Sequence, residues 1–502
     1  MPNAAQRSHC AKSGLMRFGV RVAFVLLTLV GCGSKSGLSQ LTGGAAAGTG
    51  ASGGLGGTSG IGGASTGGAG SGGGGAGSGG SGGTPVPDCI YAESGPPQLV
   101  FTWVDGVRSP LLATLAKGSA GKRAEVAIAA THEHFWHPDI RVAKVSMGAD
   151  GLASLTTDQK MTGYGVDSHA TGHLVRAENG ALDLLYYHGD EANASVVPGI
   201  KFRTFNTSTW TPLPEVTIED KAGFAYDIAV GPSVGPSGSY TGAGRFIAWR
   251  SAPIADSVVE TRVAVIDASG KMIRGPVVAA GPGSSNQFGA AVAWTGTQYL
   301  VATNEYLCTD EILCSGGITV SRFAPGAGSA ASLGQGSEFP ADPALRARTP
   351  QLSGLPGGAF VAWRELGEEA GSPQTLRVAR LGKEGAALGP DTTYSTQATA
   401  GPILHASDQG AVVLYSEAGD SDGPEGALGH TVLWLQQHGK EGHALQSLQL
   451  PTTALTFGTP YAATAIDAPR GLLVAWTGQP VQSSAGTTSA LYLSFLRCQS
   501  AD

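Results

Sequence analysis

Seven times along the chain a short apolar run ends on an aromatic or small residue and gives way to polar residues. The clearest copies are Phe246-Ile247-Ala248-Trp249, Phe360-Val361-Ala362-Trp363, Val412-Val413-Leu414-Tyr415 and Leu473-Val474-Ala475-Trp476. Weaker copies are Ala127-Ile128-Ala129-Ala130, Leu184-Leu185-Tyr186-Tyr187 and Tyr299-Leu300-Val301-Ala302, and the step from one copy to the next stays between 52 and 62 residues. A near-constant step over seven copies is the mark of a repeat architecture. After several copies an alternating strand runs into a Gly turn: Arg141–Val145, Arg262–Ile266 and Arg377–Leu381. Alternation with period two, bounded by Gly, predicts strands. Ahead of the apolar runs, Ser109-Pro110, Thr349-Pro350, Gly401-Pro402 and Thr459-Pro460 open another short strand.

Four strands, A to D, in a unit of roughly 58 residues suit a propeller blade, whose radial repetition leaves few exposed edges. The expected fold is all-β: a seven-bladed β-propeller over 88–502, with blades near 109–166, 167–220, 221–284, 285–348, 349–400, 401–458 and 459–498. The seventh blade has A (Tyr461–Ala465), B (Leu472–Trp476) and C (Leu491–Arg497), and then the sequence stops. The missing D strand is supplied by Gln98–Val104, an N-terminal strand that closes the ring. Cys89 and Cys498 flank these two segments and are expected to bond; Cys308 and Cys314 share one loop and form a second candidate pair.

Composition changes the picture at the N-terminus. Of the 78 Gly residues, 23 fall among the 41 residues 43–83. Residues 32–87 carry no hydrophobic period and read as a disordered Gly/Ser-rich tether. Before them, Arg17 and Arg21 precede the apolar run Val22–Val30, too short to span a ~30 Å hydrocarbon core. A basic region, a short apolar region and small residues make residues 1–31 a signal peptide. Leu29-Val30-Gly31-Cys32 resembles the bacterial lipoprotein lipobox, and the Gly-rich tether resembles those of surface lipoproteins in Gram-negative bacteria. That resemblance implies cleavage before Cys32, lipidation of its sulfur, and a membrane anchor. Gly33 in place of Asp favours the outer membrane. Loss of residues 1–31, with four basic side chains and no acid, takes the net charge from −7 to −11, which excludes nucleic acid as a natural partner.

Charge is also uneven within the propeller. The expected B–C loops, 131–139, 188–199, 250–260, 303–317, 364–375, 416–429 and 477–489, hold sixteen acids against Arg250 and Arg364. Longer loops on a rigid scaffold commonly carry function. Their Glu365, Glu368, Glu369, Asp420 and Asp422 form the candidate binding face, suited to a basic protein or a glycan. His132, His134 and His137 fill the first loop, with His169 and His188 on the same face. Imidazole and carboxylate suit Zn, Ni or Cu, so these five are the candidate divalent-metal ligands; exposed loop histidines are the competing reading. No confident cofactor emerges. Ala465-Ile466-Asp467 with Gly471 and Trp476 resembles the quinoprotein-type propeller repeat, in one blade and one residue too long. Trp249, Trp363 and Trp476 sit inside apolar runs and read as core.

The leading expectation is a membrane-anchored, non-enzymatic binding or scaffold propeller facing the periplasm or the cell surface. The alternative is a propeller enzyme, carbohydrate-active or metal-dependent, using the His-rich or acidic loop face.

Overall fold

A computed structural model describes thirty β-strands between Cys89 and Ser500, with the turns at 94–97, 181, 207–210, 213–215, 231, 267–271, 295–298, 324, 356–357, 374, 383–391, 409, 439–443 and 450. The expected signal peptide, Cys32 and the tether lie outside the described residues. Two strands come first, β1 (Cys89–Glu93) and β2 (Gln98–Trp103). Blade 1 is β3 (Val107–Ala116), β4 (Ala124–His132), β5 (Asp139–Met147) and β6 (Ala153–Lys160). Blade 2 is β7 (His173–Arg176), β8 (Leu182–His188) and β9 (Gly199–Asn206), with its outer strand split into β10 (Thr211–Pro212) and β11 (Val216–Asp220). Blade 3 is β12 (Ile228–Val230), β13 (Arg245–Ser251), β14 (Val259–Ile266) and β15 (Met272–Gly283). Blade 4 is β16 (Ala290–Trp294), β17 (Tyr299–Cys308), β18 (Cys314–Phe323) and β19 (Ser332–Phe339). Blade 5 is β20 (Arg346–Leu355), β21 (Gly358–Leu366), β22 (Thr375–Gly382) and β23 (Thr392–Ser395). Blade 6 is β24 (Ala398–Ser407), β25 (Gly410–Ala418), β26 (Thr431–His438) and β27 (Ala444–Gln449). Blade 7 is β28 (Ala463–Ala468), β29 (Gly471–Gly478) and β30 (Ser489–Ser500). Each blade is an antiparallel meander, and one parallel bridge, Gly316 to Arg346, joins the sheets of blades 4 and 5.

The seven-bladed propeller is thus the observed fold. Its first strands pack one on the next in a closed cycle, β3, β7, β12, β16, β20, β24, β28 and back to β3, which places them around the central channel. Apolar clusters fill all seven interfaces between blades. The cluster joining the last blade to the first sets Leu473, Ala475, Leu491 and Leu493 against Val126, Ile128 and Val145. A blade is covered on both faces, so its second strand cannot alternate: every residue of β13 is buried. Continuous apolar runs are what such strands require, which is why the repeated phrase marks them.

Closure uses two segments. β2 pairs with Ser489–Leu493 of β30, as expected of the N-terminal strand, and β1 pairs with Leu496–Ser500. A disulfide joins Cys89 to Cys498 across a Cα separation of 5.2 Å. Amides bind β1 sideways to blade 6: Tyr91 N donates to Gln437 Oε1 at 3.2 Å, and Gln446 Nε2 donates to Tyr91 O at 2.7 Å.

On the face opposite the B–C loops, the C–D turns interlock the blades. In Asp267-Ala268-Ser269-Gly270 the carboxylate accepts from the backbone of Ser269 and Lys271, both at 2.9 Å, and Gly270 takes φ 83°. A side chain at Gly270 would run into Phe202 of blade 2. The turn Gly439–Gly442 meets Arg380 of blade 5 in the same way, and Arg380 Nε donates to Lys440 O at 2.9 Å.

Candidate functional site

The B strands run past their apolar phrase toward the loop face, and the added residues are polar and still buried. Arg250, Ser251, Thr303, Asn304, Glu365, Ser416 and Thr477 are all less than a tenth exposed. The B–C ladder continues there: Arg250 pairs with Thr261, Thr303 with Thr319, and Ser416 with Leu433. The expected loops 250–260, 303–317, 364–375 and 416–429 are therefore shorter than the sequence suggests. Hydrophobicity ends before the backbone pairing does, because these side chains find partners inside the protein. The result is a buried polar collar under the loop face.

Part of the collar is a repeated ionic lock. In blade 3, Trp249 Nε1 and Arg262 Nη1 both bond Glu219, which reaches across from β11 of blade 2, and Arg262 Nε lies 3.2 Å from Glu260. In blade 5, Trp363 Nε1 donates to Glu365 at 3.1 Å, Arg377 Nε lies 2.7 Å from the same carboxylate, and Arg377 Nη1 donates to Asp391 at 2.6 Å. Trp249 stands opposite Arg262 and Trp363 opposite Arg377 in the ladder. Each lock thus hands one guanidinium two carboxylates and one of those carboxylates an indole. Charge-assisted bonds of this kind are the strong ones. The three tryptophans Trp249, Trp363 and Trp476 are fully buried core residues, as read from the sequence.

Blade 2 holds a variant of the lock. Glu215 accepts from Tyr186 Oη, with His188 Nδ1 at 3.7 Å and Arg203 Nη2 at 3.9 Å. Burial raises the pKa of Glu215, but the neighbouring His188, the bond from Tyr186 and the charge of Arg203 outweigh it and bring it down to about 2. The tyrosine pKa moves up, first through burial and then through the adjacent carboxylate. A buried phenol so held is a structural donor, not a nucleophile.

The innermost strands carry the other irregularity. Three of the four X-Pro pairs lie inside the A strands, not at their start, and the fourth, Thr459-Pro460, lies outside the described residues. Each of the three makes a bulge: Ser109-Pro110 stands between the pairs Arg108–Thr131 and Leu111–Ala129, Thr349-Pro350 between Arg348–Arg364 and Gln351–Ala362, and Gly401-Pro402 between Ala400–Ser416 and Ile403–Leu414. The three bulges thus face Ala130, Trp363 and Tyr415, the last residues of the repeated phrase, at one height near the loop-face mouth of the channel. Proline is tolerated in a strand at such points because a ladder bond is already lost there. Thr349 sits at φ 48° and Gly401 at φ 108°. For a β-branched residue such as Thr349 that φ is a true outlier. Two residues before it, Ala347 O accepts a bond from the Asn304 amide of blade 4.

Of the five histidines expected to hold a metal, His132 ends β4 opposite Asp139, and His188 ends β8 beside Glu215. His134, His137 and His169 lie outside the described residues, among which no group of three or more metal-ligating side chains occurs. Of the five acids of the expected binding face, Glu365 is buried at 3% exposure in the blade 5 lock. Glu368, Glu369, Asp420 and Asp422 lie outside the described residues. Cys308 and Cys314 end and begin adjacent strands directly opposite each other. The sequence reading weighed loop acids only against loop bases and so missed Arg262 and Arg377, which bind them from the C strands. The signal was present: Arg141, Arg262 and Arg377 recur near the start of the third strand in three blades, each opposite the last residue of the phrase.

No protein-family model matches the chain, and no curated protein matches it. Among solved structures, it is similar to the GH93 α-L-arabinofuranosidase of Fusarium graminearum, in complex with arabinobiose, at 12% identity over 66% of this chain and 94% of that one, with a TM-score of 0.41. The endosialidase of phage phi92 is 9% identical over 83% and 70% of the two chains, also with a TM-score of 0.41. A thermostable family-43 glycoside hydrolase is 14% identical over 60% and 98%, with a TM-score of 0.33. At this identity and overlap the likeness is one of architecture. The structures named here are glycoside hydrolases and an endosialidase, not the non-enzymatic binding or scaffold propeller that the sequence led us to expect.

Proposed function

We propose that the chain is a carbohydrate-active enzyme, a glycoside hydrolase whose site lies at the loop-face mouth of the channel in the sector that runs from blade 5 through blades 6 and 7 to blade 1. The observation that carries this reading is the set of matched bulges on the innermost strands, with Thr349 held at φ 48°. Residues in such conformations cost of order 1–3 kcal/mol each and cluster at active sites, and bulges re-aim side chains beside them. Two of these blades also have loops rich in acids, with Glu368 and Glu369 after β21 and Asp420, Asp422 and Glu425 after β25, and blade 1 adds Glu133 after β4. Glycosidic cleavage needs a carboxylic acid to protonate the leaving oxygen and a carboxylate to act as base or nucleophile on the other side of the sugar. The locks serve this chemistry indirectly, by holding the collar rigid beneath the loops.

The purified chain should release sugar from at least one member of a panel of aryl glycosides and polysaccharides, arabinan and polysialic acid included. Among Glu133→Gln, Glu368→Gln, Glu369→Gln, Asp420→Asn and Asp422→Asn, at least one should lower kcat by about 10²–10⁴-fold while the chain stays folded. No release from any substrate, or full activity in all five variants, sinks the reading. The anchor belongs to the same proposal: Leu29-Val30-Gly31-Cys32 supports lipidation at Cys32 and an outer-membrane address.

A further inference from the structure

The described part of the ring contains four cysteines, and two of them, Cys89 and Cys498, form its closing disulfide. A structural disulfide belongs to an oxidising compartment. The other two are Cys308, the last residue of β17, and Cys314, the first residue of β18, and the antiparallel ladder sets them directly opposite each other. Opposed residues of an antiparallel pair have Cα atoms about 4.5–5.5 Å apart, inside the ~4.4–6.8 Å window of disulfides. The register that would forbid the bond, a slip by one residue, is excluded by the ladder below: ten consecutive pairs run without a bulge from Tyr299–Phe323 to Cys308–Cys314. Buried Thr303 and Asn304 lie on that same stretch of β17.

We propose that Cys308 and Cys314 form a second disulfide, a staple across the neck of the B–C loop of blade 4. The two thiols lose two protons and two electrons as the Sγ–Sγ bond forms. The electrons pass by thiol–disulfide exchange to a disulfide of the exporting compartment, which leaves as a dithiol. The staple acts locally. It closes a ring of seven residues, whereas the Cys89–Cys498 bond spans a sequence separation of 409. Loop-closure entropy grows with the length enclosed, so the short staple adds less to the stability of the ring than the closing bond does. Asp310 and Glu311 fall between the two cysteines in the sequence.

The experiment is thiol trapping on the full chain exported in a bacterial host, with N-ethylmaleimide added before lysis and the unreduced protein digested and mapped by mass. The expected result is two links, the closing Cys89–Cys498 bond and Cys308 with Cys314, and no maleimide on Cys308 or Cys314. Maleimide on both cysteines, or a link from either to any other cysteine, overturns the proposal. A companion measurement compares melting temperatures of C308S/C314S and C89S/C498S: the first should shift less, and an equal or larger shift contradicts the local role. Neither readout depends on a substrate, so the staple and the hydrolase reading fail separately.

Discussion

Blades 3 and 5 hold the same lock with parts taken from different places. In both, a buried tryptophan on the second strand faces an arginine on the third, and a carboxylate ties indole to guanidinium. In blade 3 that carboxylate is Glu219, delivered by the outer strand of the preceding blade; in blade 5 it is Glu365, two residues past the tryptophan on the same strand. The first lock therefore bridges two blades, and the second braces one blade internally. At the blade 4–5 interface the Trp363 ring packs against Phe339 of β19, centroids 4.8 Å apart, and the bridging passes to other groups, Asn304 to Ala347 O and Arg322 to Glu384 at 2.9 Å. What the repeats keep is a chemical requirement, a buried indole N–H and a guanidinium that must each be satisfied, and not the address of the group that meets it.

The largest expected effect comes from removing the indoles. Trp249→Ala and Trp363→Ala should each cost about 3–5 kcal/mol in urea unfolding, through cavities in tightly packed interfaces. A loss under about 1 kcal/mol would mean that the interfaces collapse around the gap. Next comes the comparison itself. Glu219→Gln and Glu365→Gln keep shape and remove charge, and each should cost about 1–3 kcal/mol by leaving its arginine less well paired. Glu365 is the more buried, at 3% against 16% side-chain exposure for Glu219, so its variant should lose more global stability. The Glu219 variant should instead speed amide exchange on both β11 and β13. If both variants disturb only their own blade, the distinction between bridge and brace falls.

The smallest effect is a dependence on pH. Burial first, and His443 second, hold the His438 pKa below 6.5, against the carbonyl of Gly442 at 3.2 Å from Nδ1. A histidine so depressed contributes stability above pH 6.5 that is lost as pH falls through its lowered pKa. Glu215, at about 2 against 4.5, contributes stability above pH 4.5 that is lost only as pH falls toward 2. Stability measured from pH 7 downward should thus decline in two windows, the upper one abolished by His438→Asn and the lower one by Glu215→Gln. Survival of the upper decline in the histidine variant would assign it elsewhere.

The ring was legible in the chain because a strand covered on both faces must be continuously apolar, and seven such runs stand out against a Gly-rich background. The collar was not legible for the same reason. Thr303, Asn304 and Ser416 are buried but polar, so hydropathy ends the strand before the ladder does. Proline misled in a different way: Pro110, Pro350 and Pro402 look like strand openers and are bulges within strands. Sequence placed β2 correctly but not β1, whose five residues carry no period and owe their strand to β30 and the Gln437 amide. The acids of the locks were visible as residues, yet their partners lie on another strand, and in blade 3 one carboxylate comes from another blade.

The position of Cys89 has a mechanical consequence. It is the first residue of the first strand, and its sulfur is bound two residues before the end of β30. Any pull on the chain ahead of Cys89 passes through that covalent bond into β30 before a single hydrogen bond of the β1–β30 ladder is loaded. The strand therefore cannot be unzipped from its free end, the failure mode of a non-covalent clasp. Such a load is borne first by the seam where the circle begins and ends.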